Sequence, residues 1–204
     1  MKTNNISILG FQTIIADFRE KLFHLALFGI IVLNSVVFSS CDSEYLIVRK
    51  QLSIFENSVI VLPPELLLIS KGRVTTISNQ KTTKTFFIYF ESVDCSDCLA
   101  NKIASLQKIY TISEENSIDV KCIISPNPDG EGDIIKRLIE MQLPFDLYVD
   151  ASYSFHEINP SLPYDQRFYM FCTDNEGKPF FVGNPSLNKK YYDLFIKTTK
   201  KHLL

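Results

Sequence analysis

The sequence predicts an α/β fold in which helices flank a central mixed β-sheet. Between residues 85 and 149, short apolar runs alternate with amphipathic helical patterns, and such alternation is typical of parallel strands joined by crossover helices. Two later strand patterns, separated by a turn-rich segment, predict an antiparallel hairpin that makes the sheet mixed. Apolar residues make up 46% of the 204 residues, which is enough for a packed core.

The first 40 residues are predicted to be a lipoprotein signal peptide. Basic residues precede an apolar stretch at 22–38, whose length and flanks fit a secretory signal better than a spanning helix of about 20 apolar residues. Ser39-Ser40-Cys41 follows and resembles a bacterial lipobox, although Phe38 stands where Leu is preferred. A lipidated Cys41 would tether the rest of the chain to a membrane of the cell envelope. An uncleaved anchor helix is the alternative, and it also places the rest of the chain outside the cytoplasm.

Residues 41–84 are predicted to form an N-terminal tether with a short β extension. Apolar patterns at 45–48 and 59–62 predict two short strands, and Pro63-Pro64 ends the second because proline cannot donate a backbone hydrogen bond. The polar residues 78–84 predict a linker to the body of the fold.

Each later element follows from its own pattern. The continuous aromatic-rich run at 85–91 predicts a buried strand, and helical spacing of apolar residues predicts the helices. Asp133 can cap the second of these helices. The predicted elements are strand 85–91, helix 96–110, strand 119–125, helix 133–142, strand 145–149, a helical turn at 153–158, strands 167–173 and 179–182, and helix 186–202. The turn-rich segments are 125–132 and the hairpin loop 174–178.

The motif Asp94-Cys95-Ser96-Asp97-Cys98 is the strongest chemical signal. Haem attachment would require His after the second cysteine, and Leu99 stands there. A structural zinc site would need four ligands, but the chain has no second pair of this spacing. We therefore expect no metal and no cofactor. The net charge of −2 also lacks the basic excess that is typical of nucleic-acid-binding proteins.

The position of the pair favours redox chemistry. It lies where a predicted buried strand ends and a helix begins, and free N–H groups at a helix N-terminus stabilise a thiolate. Cys95 would be the exposed attacking thiol at the cap, and Cys98, one turn later and more buried, would be the resolving thiol. The alternative is that the pair is a structural staple.

Two acidic residues bear on this chemistry. Negative charge from Asp94 or Asp97 opposes thiolate formation, whereas the helix N-terminus favours it, so the sign of the net effect is open. Asp97 is interpreted mainly as a favourable first-turn acid.

Residues 59–200 resemble the thioredoxin-like, TlpA/ResA-type lipoproteins of Gram-negative bacteria, and more closely an uncharacterised subgroup of them. The segments that carry the resemblance are Val61-Leu62-Pro63, residues 88–99 with the cysteine pair, residues 167–174, and Val182-Gly183-Asn184-Pro185. The resemblance implies a thioredoxin-like fold over residues 85–204 and a presumed thiol–disulfide oxidoreductase activity with Cys95 and Cys98 as the redox pair. Its partners would be protein thiols or disulfides, or small thiols, in the envelope.

The chain departs from the thioredoxin pattern at three places. Neither the usual Trp before the first cysteine nor a proline between the cysteines is present. The usual buried carboxylate falls on Tyr89, so the nearest acid is Glu91, interpreted mainly as a solvated strand-end charge that could also assist proton transfer. The usual cis-proline falls on Phe168, which removes a residue that holds substrate backbone beside the thiols.

Cys122 and Cys172 are predicted to pack in the core rather than to form a second disulfide. In a thioredoxin-like sheet their strands flank the central strand, about 10 Å apart, and a disulfide needs Cα atoms within about 7 Å.

Three functions compete. The first is the exported, membrane-tethered oxidoreductase, and the second is a non-catalytic envelope binding module whose pair is a structural disulfide. The third is copper handling of the Sco type, for which His156 is the candidate distal ligand.

Overall fold

The computed structural model describes residues 21, 23, 44–78, 80, 83–93 and 95–202. The lipidation candidate Cys41 and the acid Asp94 lie outside the described residues. The chain divides into two compact units, residues 1–49 and 50–204. None of the helices in the described ranges is long and apolar enough to cross a membrane.

One seven-stranded mixed sheet organises residues 50–204, in the order β2-β1-β5-β4-β3-β6-β7. The strands are β1 (Glu65–Ser70), β2 (Arg73–Ser78), β3 (Thr85–Val93), β4 (Asp119–Pro126), β5 (Leu147–Val149), β6 (Met170–Thr173) and β7 (Pro179–Val182). The central strands β3, β4 and β5 are parallel, whereas β1, β2, β6 and β7 each pair antiparallel with their neighbours.

Six helices lie within the described part of residues 44–202. They are α1 (residues 44–56), α2 (Ser96–Ala104), α3 (Gln107–Glu115), α4 (Glu131–Glu140), α5 (Ser154–Ile158) and α6 (Lys189–Lys201), with 3₁₀ turns at Pro128–Gly130 and Gln166–Phe168. Both crossovers between the parallel strands are helical: α2 and α3 connect β3 to β4, and α4 lies between β4 and β5.

The central strand β3 explains why the sheet is covered on both faces. Its consecutive apolar residues alternate between two cores, because successive side chains of a strand point to opposite faces. Phe86 and Ile88 join the core formed with α2, α3, α4 and α6. Phe87 and Tyr89 join the second core with residues such as Phe155. Burying each large side chain contributes about 1.5–3 kcal/mol.

The predicted fold class is confirmed. Strand order β4-β3-β6-β7, with β6 antiparallel to β3 and a helix after β7, is a thioredoxin-like arrangement around a mixed sheet. The short N-terminal β extension is the β1–β2 hairpin, which reaches the sheet through β5. The predicted boundaries after residues 40 and 84 stay predictions.

The strands predicted in the N-terminal part are misplaced. Residues 45–48 belong to α1, where Val48, Leu52 and the buried Phe55 follow helical spacing. Residues 59–62 do not form a strand, because the side chain of Asn159 bonds both the N–H and the carbonyl of Val61 at 2.8 and 2.9 Å.

The hairpin that the sequence did not reveal, β1–β2, turns at Lys71 and Gly72. Both residues have positive φ, 49° and 73°, which is the conformation of a two-residue hairpin turn.

The predicted helix 96–110 is two helices. α2 ends at Ala104 and α3 begins at Gln107, because Ser105 Oγ donates to the carbonyl of Lys102 at 2.6 Å and Leu106 N donates to that of Ile103 at 2.9 Å. The apolar stripe continues through the buried Leu106, so periodicity did not reveal the break.

Other element ends also differ from the prediction. β6 begins only at Met170, because the 3₁₀ turn before it is capped by Asp165, whose carboxylate accepts from Arg167 N at 2.9 Å. Asp133 lies inside the first turn of α4 rather than at its cap. β5 spans three residues, Leu147–Val149.

Cys122 and Cys172 are free, buried thiols, as predicted. Cys122 lies opposite Ile88 on β4, and Cys172 lies opposite Phe86 on β6. β3 therefore separates the two thiols.

Candidate redox site

The cysteine pair lies at the junction of β3 and α2. Cys95 is the N-cap of α2 in an extended conformation (φ −110°, ψ 107°), and its Sγ accepts a hydrogen bond from the N–H of Cys98 at 3.1 Å. The pair forms a disulfide with Cα atoms 5.3 Å apart, within the usual range for such bonds.

Both cysteines are exposed. Cys98 is therefore not the buried thiol that the sequence predicted, because the cysteine faces outward while the next residue, Leu99, takes the inward position. Exposed disulfides are typically the labile or catalytic ones.

Asp97 lies in the first turn of α2, as interpreted from the sequence, and pairs with Arg137 of α4. The distance from Asp97 Oδ1 to Arg137 Nη2 is 3.3 Å, and the two side chains are 79% and 44% exposed. An exposed pair of this kind adds about 0–1 kcal/mol of stability. Its relevance is local: a cation from a neighbouring helix offsets part of the negative charge beside the disulfide.

Glu91, two residues before the end of β3, is not a solvated strand-end charge. Its side chain is 25% exposed. One carboxylate oxygen pairs with Nδ1 of His156 on α5, and the other accepts a hydrogen bond from the hydroxyl of Tyr169 at 3.0 Å. A carboxylate oxygen can only accept, so this contact is a hydrogen bond when Nδ1 of His156 is the donor.

Tyr169 gives this carboxylate a fixed neutral donor. Burial raises the pKa of Tyr169, and its hydrogen bond to Glu91 raises it further. The hydroxyl therefore stays protonated through the physiological range and continues to donate to Glu91.

The short helix α5 is held in place by a buried carboxylate. Asp150, directly after β5, is fully buried. It accepts from Phe155 N at 2.8 Å and from the hydroxyls of Ser125, Ser152 and Ser154 at 3.2, 2.9 and 3.3 Å. His156 therefore approaches Glu91 from a helix whose first turn is tied to the sheet.

Parallel pairing explains why these groups meet. Phe90, Ile124 and Val149 lie side by side on β3, β4 and β5, and the residue after each of them is Glu91, Ser125 and Asp150. The carboxyl ends of parallel strands share one edge of the sheet, which is where sites form in open α/β sheets.

Tyr89 occupies the position where thioredoxins carry a buried acid. The pKa of Tyr89 is raised to about 12, mainly because the side chain is buried. The hydrogen bond with Ser125 lowers this pKa, and the carboxylates of Glu91 and Asp150 raise it. Tyr89 is therefore a neutral phenol at physiological pH and does not replace a basic carboxylate.

A cleft of about 670 Å³ opens beside the disulfide. Cys95 and Cys98 line it together with Glu91, Lys102 and Arg167. Its apolar lining consists of Phe90, Val93, Leu99, Leu106, Ile109 and Met170. Lys108 Nζ contacts the carbonyl of Ser186 at 3.4 Å and so connects α3 with a segment that also lines the cleft. An apolar cleft that adjoins a redox pair can hold a substrate next to the reacting sulfur.

Phe168 lies away from this cleft. It is half-buried at the end of the 3₁₀ turn, whereas its neighbours Tyr169 and Met170 line the cleft. The residues that the structure describes contain no cis peptide bond.

Sequence reasoning missed the roles of His156 and Tyr169 beside Glu91. The one local signal was Asp150-Ala151-Ser152-Tyr153-Ser154, an acid followed by two serines after a strand, which is typical of a helix start. No cluster of three or more His, Cys, Asp or Glu side chains suited to a metal ion occurs within the described ranges.

A comparison with solved structures finds a likeness. No family model matches the chain, and no curated protein matches it. A solved structure of an uncharacterized thioredoxin-like protein from Porphyromonas gingivalis is similar at a TM-score of 0.41 and 18% identity, over 72% of this chain and 94% of that chain. The strand order and the disulfide define the class of this protein. It has a thioredoxin-like fold with an exposed CxxC disulfide.

Proposed function

We propose that this protein is a thiol–disulfide oxidoreductase that uses Cys95 and Cys98. The observation that carries the proposal is the exposed disulfide at the N-terminus of α2, which opens on a cleft large enough for a substrate. A thiol at this position is favoured as a thiolate by the free N–H groups of the helix, and the Cys98 N–H already points at Cys95 Sγ.

In the reductive direction, the exchange takes two steps. The Cys95 thiolate attacks a substrate disulfide, forming a mixed disulfide and releasing one substrate thiolate, which takes up a proton. Cys98 then loses its proton and attacks Cys95 Sγ, which releases the second substrate thiol and forms the Cys95–Cys98 bond. Two electrons pass from the dithiol to the substrate, and an external thiol must reduce the pair again.

Glu91 is proposed to accept the Cys98 proton. Glu91 and Cys98 line the same cleft, and a carboxylate can receive a proton directly or through one water. His156 and Tyr169 are positioning residues, because each holds one oxygen of this carboxylate.

The protein is further proposed to be an exported lipoprotein of the TlpA/ResA type, tethered to an envelope membrane through Cys41. The support is the apolar stretch at 22–38 followed by Ser39-Ser40-Cys41. An oxidising compartment outside the cytoplasm is also where a CxxC disulfide persists.

The direct test is a redox titration of the pair combined with insulin reduction. We expect a potential near the thioredoxin value of about −270 mV and measurable turnover, with turnover lost in Cys95→Ser and a trapped mixed disulfide in Cys98→Ser. A potential below about −300 mV without turnover would instead identify a structural disulfide in a non-catalytic binding module.

A further inference from the structure

The cleft beside the disulfide offers exposed apolar surface. Phe90, Val93 and Met170, which come from the sheet, are half-buried rather than buried. Leu106 and Ile109 close the cleft on the helical side because the break between α2 and α3 brings both into its wall. Apolar surface of this extent next to a reactive sulfur favours a ligand that carries a large apolar side chain.

Among the described residues that line the cleft, the charged side chains other than Lys102 have hydrogen-bonding partners. Both oxygens of Glu91 are engaged. The Arg167 Nε donates to Asp165 at 2.6 Å. Lys102 is exposed on the cleft wall, and no carboxylate of the described residues forms an ion pair with it. Its positive charge therefore favours an anionic group in the ligand.

The spacing of these features sets the geometry of the ligand. Lys102 follows Cys95, the cysteine that would bond to the substrate, by seven residues, which corresponds to about 10 Å along a helix axis. An extended polypeptide advances about 3.3 Å per residue, so a carboxylate three residues from a bound cysteine would reach Lys102.

From these contacts we infer the substrate class, an inference that rests on the proposed function. The cleft binds an extended, cysteine-containing polypeptide segment with a bulky apolar residue beside its cysteine and an acidic residue about three positions away. A small anionic thiol would satisfy Lys102 but would leave the apolar wall of the cleft unfilled.

Four blocked peptides test this specificity. Each carries its cysteine as a mixed disulfide with nitrothiobenzoate, has Phe or Ser next to that cysteine, and has Asp or Lys three positions away. The full chain, with Cys95 and Cys98 reduced, is mixed with each peptide, and nitrothiobenzoate release is followed. We expect Phe over Ser to raise the rate about tenfold through apolar burial, and Asp over Lys to raise it about fivefold, the factor of a surface ion pair.

Two charge-reversal variants provide the matched comparison. Lys102→Glu should invert the Asp-to-Lys rate ratio while the Phe-to-Ser ratio stays above one. Lys136→Glu, on an exposed residue of α4 outside the cleft, should leave both ratios as in the wild type. Equal rates for all four peptides, or an Asp-to-Lys ratio that Lys102→Glu does not change, would overturn the inference.

Two further disulfides separate the possible failures. If neither hydroxyethyl disulfide, which is small and neutral, nor any of the four peptides is reduced, the proposed function itself fails. If hydroxyethyl disulfide is reduced while the peptides are not distinguished, only the substrate class fails. Faster reduction of glutathione disulfide than of the Phe/Asp peptide would assign the cleft to a small anionic thiol and would also overturn the inference.

Discussion

At the scale of single residues, Glu91 decides how this site differs from a typical thioredoxin. The usual buried acid is replaced by Tyr89, whose pKa burial raises to about 12. Glu91 lies two residues further along β3 and holds its carboxylate between His156 and Tyr169. In the proposed mechanism, the proton of Cys98 would therefore pass to a carboxylate near the end of β3 rather than to an acid within the core.

Glu91→Gln is expected to slow the second step of exchange without slowing the first. In the proposed mechanism Cys98 then loses its proton acceptor, and general acid–base groups contribute at least about a hundredfold. Because solvent can partly replace this acceptor at an exposed thiol, we expect release of the mixed disulfide to slow about tenfold or more. Stopped-flow measurement of substrate-thiol release checks this.

The control isolates the attack by Cys95. In a Cys98→Ser background only the first step occurs, and there Glu91→Gln should not slow formation of the mixed disulfide. His156→Gln, which keeps a hydrogen-bond donor, should impair release less than His156→Ala. If Glu91→Gln slows attack and release equally, Glu91 acts on the protein's structure rather than on the Cys98 proton.

At the scale of the elements, two irregular features shape the surroundings of the disulfide: the interruption between α2 and α3, and the short helix α5. The interruption between α2 and α3 places Ser105 and Leu106 in the cleft wall. The short helix α5, which could not persist alone in water at this length, is held by Asp150 and presents His156 to Glu91.

Asp150→Asn is expected to lower the free energy of unfolding by about 2 kcal/mol, because a hydrogen bond to a charged group contributes about 1.5–3 kcal/mol. The amide keeps one acceptor oxygen but brings two donors into a buried site that holds hydroxyl and N–H donors. Urea denaturation of both proteins measures the difference.

Asp129→Asn is the matched control, since Asp129 is exposed in the 3₁₀ turn before α4. Its stability should stay within about 0.5 kcal/mol of the wild type. An Asp150→Asn protein as stable as Asp129→Asn would contradict the role of Asp150 in holding α5.

At the scale of the whole molecule, the position of each described cysteine relative to the sheet decides whether it is buried or exposed. The strand order puts β3 between Cys122 and Cys172, both of which are fully buried. Burial raises the pKa of each of these two thiols, whereas Cys95 and Cys98 are exposed at the end of β3.

Alkylation mapping of the full chain, isolated from cells, is expected to separate the cysteines into three classes. After reduction under native conditions, iodoacetamide should modify Cys95 and Cys98, because the thiolate is the reactive form and needs access. Cys122 and Cys172 should react only after denaturation. Cys41 should stay unmodified in both cases if it carries lipid, and mass spectrometry of each peptide reads out all three classes.

Two results would contradict this assignment. A disulfide between Cys122 and Cys172 would be incompatible with the strand order. A free Cys41 on an intact N-terminal segment would remove the support for lipid anchoring while leaving the redox proposal in place.

Local patterns were sufficient for much of the fold and failed at identifiable places. Strand β7 was predicted with the bounds Pro179–Val182, because its apolar run is bounded by turn residues. The pattern at 45–48 predicted a strand inside α1, since a short apolar run fits either structure until its neighbours are packed. Hairpin β1–β2 was missed because β2 is mostly exposed and carries little hydrophobic signal.

The sequence by itself determined that a CxxC pair follows a buried strand and opens a helix, because both neighbouring elements are set by residues close to the pair. Only the tertiary structure decided the surroundings of Glu91, since its partners His156 and Tyr169 are 65 and 78 residues away in the chain. Their meeting depends on strand order and on the edge shared by β3, β4 and β5, which no local periodicity encodes.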